Sequence, residues 1–223
     1  MIMKITKISI ILFLLFLSVS SFAQRFEYGV GLQYLRLEGK SIVEKFTLSG
    51  PNIDTVYTRD AFSNLAFFTV GLGGDVPIYK ITDEMNISIQ ANINVGFLVF
   101  SHSQYALSQP GVNFYAPAYL TYNWGSASSR SSSKLFGVAL GLGYQFSGYL
   151  LDKAAPYGDD SGVYHYAAPS ILVEVSDFGL FDNVILRFET QLGGSYLIEK
   201  EYKNVPYGYS FYQSTLSFII YIQ

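Results

Sequence analysis

The chain has 223 residues, and its 14 Lys and Arg against 17 Asp and Glu leave a formal net charge of −3. Charged residues are 14% of the sequence, against about 25% in ordinary soluble proteins, and no basic footprint for nucleic acid appears. The absence of cysteine excludes a disulfide framework, a thiolate metal site and a lipid-modified N-terminal cysteine.

The chain opens MIMKITKISIILFLLFLSVSSFAQ. Lys4 and Lys7 form a basic start, and Ile8 to Leu17 is an apolar run too short to span a bilayer. Ser21 and Ala23 are small residues spaced for cleavage before Gln24. This pattern predicts a cleaved leader over 1–23 rather than a membrane anchor. Residues 24–223 then form one domain, a size at which all-β barrels are commonly a single unit.

Eight segments alternate polar and apolar residues with period two, and none has helical spacing. The first, Phe26 to Arg36, sets Phe26, Tyr28, Val30, Leu32 and Tyr34 against Glu27, Gly29, Gly31 and Gln33. The second, Asn64 to Ile78, sets Ala66, Phe68, Val70, Leu72, Val76 and Ile78 against Thr69, Gly71, Gly73 and Asp75. The third contains NISIQANINV and runs on to Val99. Its Ile87, Ile89, Ala91, Ile93 and Val95 oppose Asn86, Ser88, Gln90, Asn92 and Asn94. The fourth, Val112 to Trp124, opposes Phe114, Leu120, Tyr122 and Trp124 to Asn113, Tyr115, Tyr119, Thr121 and Asn123.

The fifth, Leu135 to Phe146, carries Phe136, Val138, Leu140, Leu142, Tyr144 and Phe146 against Gly137, Ala139, Gly141, Gly143 and Gln145. The sixth, Val163 to Val175, contains Pro169. A proline cannot donate to a ladder, so a bulge or break is expected there. The seventh, Val184 to Ile198, sets Val184, Leu186, Phe188, Leu192 and Tyr196 against Arg187, Glu189, Gln191, Gly193 and Ser195. The eighth reaches the C-terminus, with Leu216, Phe218, Ile220 and Ile222 opposing Gln213, Thr215, Ser217 and Tyr221.

Connections after the second and sixth segments (KITDE, SDFGLFD) are short. Those after the first, third, fifth and seventh are longer on average. The longest, Leu37 to Ser63, carries strand-like flanks around SGPN. The linker GSASSRSSSK departs from this alternation and has a flexible composition.

Alternation does not by itself fix which face is wet. A secreted lipocalin-like barrel turns its apolar set inward, and a membrane barrel turns it outward. Three features favour the membrane. A soluble surface carries about 25–35% charged residues, yet here the polar set is mostly Asn, Gln, Ser, Thr and Gly. The apolar set is nearly free of charge, as lipid requires. Tyr28, Tyr34, Tyr122, Trp124, Tyr144 and Tyr196 stand near the ends of apolar rows, where an interfacial girdle belongs. The expected fold is therefore an all-β, eight-stranded, antiparallel up-and-down transmembrane barrel. Ile87, Ile89, Ile93, Val95, Val138, Leu140, Leu142, Leu186, Phe188, Leu216, Phe218 and Ile220 are expected to face lipid. The polar, side-chain-filled interior would hold Glu27, Gln33, Asp75, Gln90, Asn92, Asn94, Gln145, Glu174, Arg187, Glu189 and Gln191, with Glu174 near Arg187 if segments six and seven pair.

This pattern resembles the small eight-stranded outer-membrane barrels of the OmpA-like and OmpX-like class. The leader end SSFAQ and the stretches FEYGVGLQY and LRFETQLGGSY resemble Bacteroidota members in particular. The resemblance spans essentially all of residues 24–223 and carries no diagnostic functional motif. It implies a Gram-negative outer membrane, periplasmic termini, short periplasmic turns and long extracellular loops. Such barrels usually end in an aromatic residue, whereas this chain ends Tyr221-Ile222-Gln223.

Chemistry has few anchors. A rim-active lipid hydrolase or acyltransferase needs a nucleophile, a base and an orienting carboxylate. The two histidines, His102 and His165, lie beside Ser101, Ser103, Asp159 and Asp160 without motif spacing. GDDSG lacks a full Ca²⁺ loop pattern, and the glycine repeats are no phosphate loop because no helix follows them. No cofactor or metal is expected. The sequence points to a non-enzymatic barrel in contact with outer-membrane lipid and lipopolysaccharide. It would act structurally or through loop-mediated recognition of a protein partner, with a narrow solute channel as the alternative.

Overall fold

The computed structural model describes residues 25–45, 55–103, 111–128, 134–151, 162–177, 183–202 and 205–222. The leader expected over 1–23, part of the serine-rich linker, and Asp159 and Asp160 lie outside them. Nine strands form one sheet: β1 (Arg25–Lys45), β2 (Thr55–Thr82), β3 (Met85–Ser103), β4 (Gly111–Gly125), β5 (Gly137–Leu151), β6 (Gly162–Ser176), β7 (Val184–Gln191), β8 (Ser195–Tyr202) and β9 (Val205–Ile222). Each of β1 to β6 pairs antiparallel with the next, β6 continues to β7, β7 pairs with β9, and β9 closes onto β1. β7 and β8 lie along the same edge of β9, so the barrel has eight wall positions.

Directly opposed residues trace the stagger of the wall. Val76, Ile89, Leu120, Leu142, Ile171, Thr190, Ser214 and Tyr34 follow one another around the barrel and return to β2 at Ala66, ten residues from the start. An eight-stranded barrel leaves an interior that side chains alone can fill. The period-two alternation decides which side chains do so. On β4, buried and outward residues alternate along the strand.

The first hairpin is longer than the sequence implies. The flanks of SGPN are strand: β1 and β2 stay paired out to Lys45 and Thr55. Both termini of the described wall, Arg25 and Ile222, share one end with the β2–β3 turn at Asp83 and Glu84; this is the terminus end. The opposite, loop end carries the connections after β1, β3, β5 and β8.

Pro169 does not break its own strand. β6 keeps an unbroken register with β5 from Gly162 to Ser176, Pro169 lying opposite Tyr144. A strand residue's N–H and C=O point to the same side, and the Pro169 carbonyl accepts the Leu192 amide at 2.8 Å. The missing proline donor therefore faces β7. There the β6–β7 ladder stops, at Ser170 opposite Gln191. The interruption falls on the neighbouring strand, at Leu192 to Gly194, where Gly193 adopts φ +81°. The expected continuous strand from Val184 to Ile198 is thus two strands, and β8 pairs with β9 alone. Among the described residues, no strand pairs with the β7-side edge of β6 beyond Ser170, nor with the free edge of β8.

Candidate functional site

Among the described residues, the interior is where the fold concentrates buried ionisable groups. The buried charged residues are Arg25, Glu27, Asp75, Glu174, Arg187 and Glu189. Two guanidinium groups and four carboxylates thus share the interior of the described barrel. Alternation brings them there from four strands: β1 supplies Arg25 and Glu27, β2 Asp75, β6 Glu174, and β7 Arg187 and Glu189. Glu174 and Arg187 lie directly opposite each other.

The charged cluster fills the terminus end. Arg187 donates from Nε to Glu174 Oε2 at 3.0 Å and from Nη2 to Glu174 Oε2 and Glu27 Oε2 at 2.9 and 2.5 Å. Arg25 donates from Nε to Glu27 Oε1 at 2.8 Å and from Nη2 to Glu174 Oε1 at 2.6 Å, and its Nη2 stands 3.9 Å from Asp75. The Gln90 amide donates to Glu174 Oε2 and Glu27 Oε1 at 3.1 and 3.3 Å. Each charge is therefore held by opposite charges and amides, as buried ions require.

A second set of bonds seals the floor beneath it. The Asn123 amide donates to Asp75, Asn86 and Ser88 at 3.2, 2.9 and 2.6 Å. Asn86 donates to the Ser128 carbonyl. The turn after β4 folds inward, burying Ala127 and Ser128 with Tyr119, Ala139 and Leu172.

The middle of the interior is neutral apart from Glu189, which accepts a hydrogen bond from the Tyr115 hydroxyl. The Asn113 amide donates to Gln33. Two cross-strand pairs, Gly71 with Asn94 and Gly73 with Asn92, lay an asparagine side chain over a glycine. A Cβ at Gly71 would lie 1.9 Å from Asn94 Oδ1. A water-sized cavity lies here, lined in part by Glu27, Arg187, Glu189, Asn92 and Asn94.

The loop end departs from the polar interior expected throughout. Leu35, Leu37, Leu65, Phe67, Tyr149, Tyr166, Ala168 and Phe211 form a buried apolar cluster. Tyr149 and Tyr166 stack with ring centroids 6.2 Å apart at 12°. One polar atom organises them: Gln213 Oε1 accepts from Ser147, Tyr149 and Tyr166 at 2.7, 2.7 and 2.9 Å. Leu35, Leu37 and Phe67 simply continue the inward parity of Gln33 and Thr69, so a parity count carried past Tyr34 finds them. Arg25 has the same parity as Glu27 and is found the same way. Ile219 also turns inward, against Ile185.

Of the residues assigned to the interior from sequence, Glu27, Gln33, Asp75, Gln90, Asn92, Gln145, Glu174, Arg187, Glu189 and Gln191 are buried, and Asn94 is half-buried. Of those assigned to the outer face, Ile89, Ile93, Val95, Leu140, Leu142, Leu186, Phe188, Leu216, Phe218 and Ile220 are exposed, while Ile87 and Val138 are half-buried. Leu142 is 67% exposed. Tyr28, Tyr34 and Tyr122 point outward, and Trp124 packs edge-on against Phe136 at 5.3 Å. Tyr144 is exposed but stands mid-strand, between Leu142 and Phe146, rather than at a row end. The Tyr196 side chain lies outside the described residues.

His102 and His165 do not meet. Both are exposed, His102 on β3 and His165 on β6 with two strands between them. Among the described residues no cluster of His, Asp and Glu is suited to a metal ion.

No family model matches the chain, and neither does any curated protein sequence. Solved structures do. The outer membrane protein OprG of Pseudomonas aeruginosa is similar at 7% identity over 90% of this chain and 97% of its own, with a TM-score of 0.42. The attachment invasion locus protein Ail of Yersinia pestis is similar at 8% identity over 88% of this chain and 98% of its own, with a TM-score of 0.33.

Proposed function

We propose that the chain is an integral outer-membrane β-barrel with a structural or protein-interaction role, an accessory component of a larger outer-membrane assembly, with neither an open channel nor catalytic activity. The carrying observation is the inverted distribution of polarity. Every buried charge of the described barrel points inward, while a row such as Leu140, Leu142, Leu186, Leu216 and Phe218 is turned outward. Water would not favour that arrangement over so wide a surface. Lipid demands it. The termini then lie in the periplasm and the long connections outside, beside lipopolysaccharide.

The absence of conduction follows from the filling. The Gln213-centred aromatic cluster closes the loop end, and the Arg25–Glu27–Glu174–Arg187 cluster with the inward turn at Ala127 closes the other. Purified full-length protein in planar bilayers is expected to show no steady current. A stable open-pore conductance would replace this reading with that of a narrow solute channel. Lipid A profiles of cells carrying His102→Ala or His165→Ala are expected to match wild type; loss of a modified species in either would make the protein a lipid-modifying enzyme.

A further inference from the structure

The two guanidinium groups of the interior do not reach all four of its carboxylates. Arg25 meets Glu27, Glu174 and Asp75, and Arg187 meets Glu27 and Glu174. Among the described residues, no cationic side chain stands within ion-pair distance of Glu189, which is 2% exposed. Its Oε2 accepts from the Tyr115 hydroxyl, and its Oε1 has no partner. A buried carboxylate needs an opposite charge as well as hydrogen bonds.

Glu189 lines the water-sized cavity in the middle of the interior, and so does Asn92. Asn92 is 5% exposed, and neither atom of its amide has a partner. Thr215, directly opposite Glu189 on β9, buries an unpartnered hydroxyl as well. Gly29, Gly71 and Gly73 line the cavity from β1 and β2, so no side chain from those positions fills it. Sequence spacing gives no hint of this meeting, because β3 and β7 are not neighbours in the wall.

From this we infer that the cavity binds one small monovalent cation, held by Glu189 Oε1 and the Asn92 carbonyl oxygen, as the counter-charge that the two guanidinium groups do not supply. A water molecule would meet the orphaned atoms but leave Glu189 without an opposite charge. A divalent ion takes about six to eight oxygen ligands, several of them carboxylates, and no cluster of acidic and histidine side chains suited to a metal is present among the described residues. An organic cation is larger than a cavity with room for about one water. The Asn92 amide is unpartnered at both ends, so turning its carbonyl towards the ion breaks no hydrogen bond. The charged cluster lies on one side of the site and the aromatic cluster on the other, which makes the ion a fixed part of the filling rather than one in transit. The ion site goes beyond the membrane role proposed above and does not depend on it.

The test uses the full folded chain in a zwitterionic detergent, unfolded by urea while sodium chloride replaces tetramethylammonium chloride at constant pH and ionic strength. An ion bound only by the folded state raises the folded-to-unfolded ratio by one plus its concentration over its Kd. With sodium well above Kd, the wild-type ratio is expected to be at least about tenfold higher than in tetramethylammonium. Glu189→Gln keeps the shape and an acceptor for Tyr115 but removes the charge, and is expected to respond less than about twofold. Glu38→Gln, which removes a carboxylate from the surface, is expected to keep the full wild-type response. Heat-modifiable migration on gels reports whether each variant is folded. Where Glu189→Gln is not, Asn92→Ala serves, with a sodium response expected to fall at least about threefold. No gain in sodium for the wild type would overturn the site, since a proton or a water then suffices. An undiminished gain in the folded Glu189→Gln or Asn92→Ala protein would overturn it as well, as would a gain lost equally in Glu38→Gln, which marks screening at the surface.

Discussion

Arg187 and Glu174 stand directly opposite each other on β7 and β6 and share two hydrogen bonds, from Nε at 3.0 Å and from Nη2 at 2.9 Å. The pair is fully enclosed, and Arg187 reaches on to Glu27. Truncating one partner leaves buried carboxylates that Arg25 alone must balance. Arg187→Ala is expected to cost about 3–5 kcal/mol, the range for breaking a buried ion pair from one side. Urea unfolding of the refolded barrel measures this, and a loss below about 1 kcal/mol would mean that the interior is too wet for the pair to matter.

Glycines in the wall differ by what their missing side chain would strike. A Cβ at Gly143 would lie 1.9 Å from the Ala118 carbonyl oxygen and 2.8 Å from Tyr119 Cα. Those are backbone atoms of β4, so the two strands must separate. At Gly71 the nearest atom is the end of the Asn94 side chain, which has other rotamers. Gly143→Ala is expected to destabilise by about 1–3 kcal/mol and Gly71→Ala by less. Parallel unfolding curves for the two variants check the order.

The aromatic cluster at the loop end hangs on one carbonyl. Gln213→Leu keeps bulk but strands the hydroxyls of Ser147, Tyr149 and Tyr166 that donate to it. Each buried hydroxyl left unmet costs about 1–3 kcal/mol. Gln213→Leu is therefore expected to destabilise more than Tyr166→Phe, which removes one donor and leaves two in place. Unfolding of both variants under one set of conditions decides it. Equal effects would show that the hydroxyls find other partners.

The wall was legible in the sequence because an apolar outer face and a filled lumen impose opposite demands on alternate residues, and period two records them. Glu174 and Arg187 fall opposite each other once a short turn joins their strands. Parity tells in from out, but the sign of polarity does not: Leu35, Leu37, Phe67 and Phe211 are apolar and inward, which a search for polar inward residues passes over. Pro169 marked an interruption correctly in kind and misplaced it by one strand. The donor it lacks would have faced sideways, where its carbonyl accepts the Leu192 amide, so the ladder it spoils is shared, and the pliant glycines at Gly193 and Gly194 take up the break. The stagger that sets Leu142 level with Leu120 and Ile171 is a property of the closed barrel and has no local signature.

The central claim is that the outer face meets lipid, and Leu142→Arg tests it most directly. Leu142 is 67% exposed in the middle of β5, with Leu120 and Ile171 beside it. For a face in water, this exchange is neutral or helpful. For a face at the bilayer midplane, it costs about 2–4 kcal/mol. Reversible urea unfolding of wild type and Leu142→Arg in lipid bilayers should show a loss of that size. Unchanged or increased stability would contradict the account and place the apolar rows in water.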